Sequence, residues 1–208
     1  RAFLNDVLHG DFMQRYVHED DRQLKDIAFS GNGEPTSAKE FPQVLLLVEK
    51  ILSDFGLLGT IKLRLITNGS LMDKPAVLDS MRHLAKCNGE VWFKLDAGTK
   101  EGISSINDVT LSPQSHLQRL ERCARACPTF IQTCMFALDG KPPSDAYIEA
   151  YLSLISQVKE VIQGVHLYGL ARLSLQPEAS RLSRLPAEWL ESMAQRIRQL
   201  GIAVYVSP

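Results

Sequence analysis

DIAFSGNGEPT, residues 26–36, joins a short apolar run to a turn holding two glycines, an amide and a carboxylate. The run from Asp26 has the composition of a strand. Glycine lets a backbone approach a ligand closely. Gly31 and Gly33 therefore predict exposed amides and carbonyls at the strand's end, with Glu34 beside them. A plain strand-to-helix turn requires neither that carboxylate nor Pro35.

The theme of this stretch repeats along the chain: an apolar run, a polar turn, an amphipathic helix, then another apolar run. Strand candidates begin near Asp26, Ile61, Val91, Phe130, Val165 and Ile202, spaced as consecutive βα units are. Residues 1–24 read as broken helix. Phe41, Val44, Leu45, Val48, Ile51, Leu52 and Phe55 form an apolar stripe at helical spacing, with Ser37 and Glu40 as a candidate capping box disturbed by Pro42. Asp73 with Pro75, and Ser144, are candidate helix starts. Pro186 opens a further helix that Gly201 ends. Alternating strands and helices predict an α/β fold with a parallel sheet. No linker divides residues 1–208, which read as one domain.

Bulk properties narrow the function. The chain has 208 residues, 45% hydrophobic and 23% charged, with a net charge of −1. That balance offers no broad basic surface for nucleic acid and none for a membrane. The longest purely aliphatic run, Val44–Val48, is too short to span a bilayer. Cys87, Cys123, Cys127 and Cys134 are too few for a disulfide scaffold, and a reducing cytoplasm is the expected setting. Cys123, Cys127 and Cys134 do not form one tight loop, so they read as structural thiols and not as an iron–sulfur triad. His9, His18, His83, His116 and His166 are dispersed, without a paired metal-binding spacing.

The strands carry a further signal in their alternation. Val91, Phe93 and Leu95 suit a helix-covered face, which places Trp92, Lys94 and Asp96 opposite. By the same parity Lys62, Arg64, Asn68, Gln132, Cys134, His166, Tyr168 and Arg172 join that second face. A closed eight-stranded barrel fills its interior with branched apolar side chains, and burying so many charges without partners is costly. An open, incomplete barrel with a wet or ligand-filled inner face is therefore expected. For Lys62 and Arg64, a place on the bottom rim in water suffices. Lys94, Asp96 and Arg172 fall near the C-terminal strand ends, where active sites of parallel α/β proteins lie.

With these residues in view, the chain resembles the radical S-adenosylmethionine (radical SAM) superfamily. IAFSGNGEPT resembles its second-strand Gly-Gly-Glu-type motif, in the branch with a Ser-Gly-Asn-Gly-Glu-Pro-Thr turn. LRLITNGSLM, VWFKLDAG, FIQTCMF and VHLYGLAR are similar to the third to sixth strands. The resemblance implies an open partial (β/α)6-type barrel that binds S-adenosylmethionine. Gly31, Asn32, Gly33 and Glu34 would clasp its methionine end. Thr67 and Asn68 would lie at the mouth of the third strand, and Lys94 and Asp96 near the ribose or substrate. Gln132, Tyr168 and Arg172 would line the remaining wall. It implies no catalytic residue by number.

The family also uses a [4Fe–4S] cluster held by a CxxxCxxC loop after its first strand. That motif is absent from these residues, so the expectation is an N-terminally truncated or trimmed chain, inactive alone. The cluster's ligands would lie outside it. An electron donor such as a flavodoxin or ferredoxin, and an unidentified substrate, complete the implied partners. Two other readings stand beside this one. Lys94 near Asp96 suits a Schiff-base lyase, which leaves the glycine turn unexplained. A cluster-free binding module would keep the barrel without turnover.

Overall fold

The computed structural model describes residues 1–31, 33–171 and 177–208. Two of the expected site residues, Asn32 and Arg172, lie outside the described residues.

Six parallel strands make the main sheet. They are β1 (Asp26–Phe29), β2 (Lys62–Thr67), β3 (Gly89–Lys94), β4 (Thr129–Cys134), β6 (Gly164–Tyr168) and β8 (Val204–Ser207). Their spatial order is β1-β2-β3-β4-β6-β8. Each new strand is thus laid on the same side of the last. Parallel crossovers are right-handed, so an order that never reverses puts successive helices on one face and leaves the other uncovered. β1 and β8 do not pair with each other, and the sheet is open. All six strands start within two residues of the positions that the apolar runs predict.

The helices are α1 (Ala2–His9), α2 (Phe12–Tyr16), α3 (Phe41–Asp54), α4 (Pro75–Lys86), α5 (Lys100–Asn107), α6 (Pro113–Ala126), α7 (Asp145–Ser156) and α8 (Ala187–Arg198). The core lies between them and the sheet. Leu63, Leu65, Val91, Phe93, Ile131, Val165 and Leu167 are fully buried there, against Leu45, Leu52, Met81, Leu84, Leu120, Ile155, Leu190 and Ile197. This is the helix-side face that period-two alternation assigns. Val44 departs from its predicted stripe and is exposed, as are Leu46 and Leu47.

Local starts differ from expectation at two helices. Ser37 and Glu40 form no capping box: Ser37 Oγ donates to the Glu34 carbonyl at 2.7 Å inside a 3-10 turn, Pro35–Ser37. Asp73 does not cap α4. Its carboxylate accepts from Arg119 Nη2 at 3.1 Å, which ties the start of α4 to α6. Ser144 does cap α7, accepting from Tyr147 N at 3.3 Å. A small antiparallel pair, β5 (Ala137–Leu138) with β7 (Leu182–Ser183), has no counterpart in the sequence reading. Two-residue strands carry no detectable periodicity.

Candidate functional site

The glycine turn leaves the C-terminal end of β1. Gly31 has φ +149 and Gly33 φ +123, and a Cβ on either would meet nothing within 4 Å among the described residues. The two residues therefore face open space in a backbone conformation that side chains resist. Gly33 N donates to the Gly31 carbonyl at 3.0 Å, closing the turn on itself.

Glu34 holds that turn to the neighbouring strand. Its Oε1 accepts from Thr36 N at 3.2 Å, Thr36 Oγ1 at 2.7 Å and Thr67 Oγ1 at 2.7 Å. Its Oε2 accepts from Asn68 N at 2.7 Å. An ionised carboxylate offers about four acceptor sites, so these four donors occupy nearly all its capacity. The side chain acts as a latch between the β1 and β2 turns. Thr67 is buried, and its Oγ1 also accepts from Gly69 N at 2.9 Å. Asn68 Oδ1 accepts from Ser70 N at 2.9 Å. Sequence reasoning brought Glu34, Thr67 and Asn68 together but missed Thr36, whose place two residues after the carboxylate was the available signal.

Lys94 and Gln132 are register partners on β3 and β4, with His166 of β6 and Tyr205 of β8 continuing the same row. Lys94 is exposed. Among the described residues, buried Gln132 Oε1 has no hydrogen-bond partner. An unmet buried acceptor is unusual, and this one belongs to the uncovered face.

Asp96 stands just beyond β3. Its Oδ1 accepts from Cys134 N at 2.9 Å and its Oδ2 from Asn107 Nδ2 at 3.3 Å. Desolvation pushes this carboxyl above its ordinary range, against the lowering effect of those bonds and of nearby Lys94. Its two oxygens are thus engaged in tying β3, β4 and α5 together. Tyr147 from α7 donates to the Asp96 carbonyl, and burial raises the phenols of Tyr147 and Tyr168. Burial likewise pushes the Cys134 thiol up to about 12, with the Asp96 charge adding to it.

The opposite end of this face is closed by charge and aromatic rings. Arg64 pairs with Asp26 of β1 and, through Nε at 2.7 Å, with Glu90 of β3, and its guanidinium lies 4.8 Å from the Trp92 ring centre. Trp92 Nε1 donates to Glu90 Oε1 at 3.0 Å, and Lys62 lies 3.7 Å from Glu90 Oε2. Arg64 does more than ring a wet rim, whereas the Lys62 side chain stays largely in water as expected. Glu90 is 6% exposed and draws Arg64 into a partly buried network. Above it, His166 lies against Trp92, Phe130 and Tyr205 with ring centres 4.3, 4.9 and 5.2 Å away. Burial holds its imidazole below the ordinary range.

A [4Fe–4S] cluster does not fit this chain's own thiols. Cys123 and Cys127 are buried beneath α6, bonded to Thr129 and the Gly89 carbonyl. Cys87 ends α4, and Cys134 is on the other face of the sheet. Among the described residues, no three thiols converge. Two hollows, one between α8 and β8 and one between α7 and α8, share no residue with the glycine turn. No described helix is long and apolar enough to cross a membrane.

A scan of protein-family models finds no match to the chain, and a search of curated proteins finds none. Solved structures do match. A domain of pyruvate-formate lyase-activating enzyme from Bacteroides vulgatus superposes with a TM-score of 0.63 at 15% identity, over 89% of this chain and 100% of that one. A radical SAM methyltransferase from Sphaerobacter thermophilus gives 0.64 at 19% identity, over 93% of this chain and 53% of that one. Streptococcus suis SuiB bound to S-adenosylmethionine gives 0.60 at 14% identity, over 90% and 40%. The chain thus spans about half or less of the two longer proteins. Its fold is that of the radical SAM enzymes, an open α/β barrel wound in one direction.

Proposed function

We propose that this chain is the S-adenosylmethionine-binding core of a radical SAM enzyme. The observation that carries the reading is the glycine turn. Glu34 holds it rigidly to β2 while the backbone of Gly31 and Gly33 faces open space, at the strand end where α/β proteins bind ligands. The residues on the uncovered face suit the same ligand. Gln132 Oε1 is an unmet acceptor for an amine or hydroxyl, and exposed Lys94 is its neighbour. Gly31 and Gly33 would orient the amino-acid end, and Lys94, Asp96 and Gln132 would border the rest. Glu34 would act through the turn it positions.

In that family, a bound iron–sulfur cluster would supply the electron for radical chemistry on S-adenosylmethionine. This chain's thiols do not fit the cluster, so its own part is to bind and orient. The Schiff-base alternative is weaker on geometry, because Asp96 directs both oxygens to Cys134 and Asn107.

Isothermal titration of the chain with S-adenosylmethionine tests the reading. Saturable one-to-one binding is expected, weakened about 3- to 10-fold in Gln132→Leu by loss of one hydrogen bond. No saturable binding, or binding indifferent to both Gln132→Leu and Gly33→Ala, overturns it.

A further inference from the structure

On the helical layer, away from the uncovered face, three ligand-bearing side chains meet. Glu49 comes from α3. His83 comes from the last turn of α4, and Cys87 follows four residues later at its C-cap. One donor atom from each lies within 4.8 Å of the other two. His83 Nε2 is 2.8 Å from Glu49 Oε2. The sequence reading missed this group. His83 and Cys87 share one helix face at an i,i+4 spacing, but the third member is 34 residues upstream of His83 and joins them only when α3 packs on α4.

We propose that Glu49, His83 and Cys87 form a zinc site. Thiolate, imidazole and carboxylate are the donors zinc takes, and three protein ligands leave a fourth position for water. Charge balances, because a thiolate and a carboxylate together neutralise a divalent ion. That matters at a site where Cys87 is 2% exposed. Glu49 and His83 side chains are 31% and 32% exposed, which gives the ion a route in from solvent.

The geometry requires little movement. Zinc–ligand bonds of about 2.0–2.3 Å in a tetrahedron separate ligand atoms by roughly 3.3–3.7 Å. The Glu49–His83 pair at 2.8 Å opens by less than about one ångström, and the wider separations contract by about as much. The ion would replace the proton that the imidazole and carboxylate share. Cys87 also differs from the other helix-side thiols. Cys123 meets the Thr129 hydroxyl and Cys127 the Gly89 carbonyl, whereas Cys87 faces a carboxylate. Zinc takes the thiol as thiolate, so metal binding releases a proton. The bound ion would staple α3 to the turn that leads into β3.

Cobalt(II) is the probe, added to the reduced 208-residue chain. A thiolate-to-cobalt charge-transfer band saturating at one equivalent, and displaced by zinc, is expected. Cys87→Ser should abolish the band, and Glu49→Gln and His83→Ala should weaken binding about tenfold or more. Far-ultraviolet circular dichroism checks that each variant folds. If Cys87→Ser does not, the partly exposed Glu49→Gln and His83→Ala variants decide. Zinc should raise the melting temperature of the parent chain by more than that of those two variants. No band in the parent, a band that survives Cys87→Ser, or equal affinity in folded Glu49→Gln and His83→Ala overturns the proposal.

Discussion

Replacing Glu34 by glutamine tests whether the carboxylate is a latch. The amide oxygen can take the Oε1 position and keep Thr36 N, Thr36 Oγ1 and Thr67 Oγ1 as donors. The amide nitrogen then faces Asn68 N–H, which donated at 2.7 Å, and two donors oppose each other. A hydrogen bond to a charged acceptor contributes about 1.5–3 kcal/mol. Asn68 is exposed, so water recovers part of that loss. The other three bonds change from charge-assisted to neutral, which weakens them, while the neutral amide is easier to desolvate. The balance is a loss of about 2 kcal/mol, or a melting temperature lower by about 4–8 °C for a chain of this size. Thermal and urea unfolding followed by circular dichroism give the number, and the Asn68 amide resonance reports the local bond. Thr67→Val should couple to Glu34→Gln by more than about 0.5 kcal/mol in a double-mutant cycle. A melting temperature within about 1 °C of the parent, with the Asn68 resonance unmoved, would refute the latch.

Gly69→Ala should destabilise more than Gly33→Ala in urea melts. Both carry positive φ, a cost of about 1–3 kcal/mol, but a Cβ at Gly69 would strike the Phe93 ring at 2.1 Å while one at Gly33 meets nothing. Arg64→Met should cost about 2–3 kcal/mol by stranding buried Glu90, and Arg64→Met/Glu90→Gln should recover part of it; no recovery would show that the loss is packing alone. Asp96→Asn should gain on the parent chain as pH rises. The folded-state pKa of Asp96 is raised above the ordinary 3.8, so the native state holds the proton more tightly than the unfolded one. Stability is therefore lost as pH climbs from the unfolded to the folded value, and the asparagine lacks that loss. A parent-minus-variant difference that is flat or of opposite slope across the carboxylate range contradicts this.

Strands with strict alternation were readable because burial on one face imposes a period of two. Val91, Phe93 and Leu95 are all within 1% of complete burial, as that pattern requires. The polar partners on the other face were assigned by the same parity, and Lys94, Gln132 and His166 do share a row. What those polar groups do was not readable. Thr67 and Asn68 were expected at the mouth of the third strand, and the bond from Thr67 to Glu34, a partner 33 residues away, was no part of that expectation. Asp73 looked like a helix cap but found Arg119, 46 residues on. Hydrogen bonds of this range depend on how two elements dock, and no local pattern encodes them. The Glu49, His83 and Cys87 group was hidden for the same reason.

The latch also sets a sequence of events. Two of the four donors to Glu34 belong to Thr67 and Asn68, and they reach it only after β1 and β2 have aligned Phe29 with Leu65. Closing so long an intervening loop is an entropic cost that precedes any gain from those two bonds. The Glu34 latch then closes late in folding and opens when β1 separates from β2. Its Asn68 amide should exchange with solvent deuterium together with the β1–β2 ladder, so that loss of the edge strand and loss of the turn are one event.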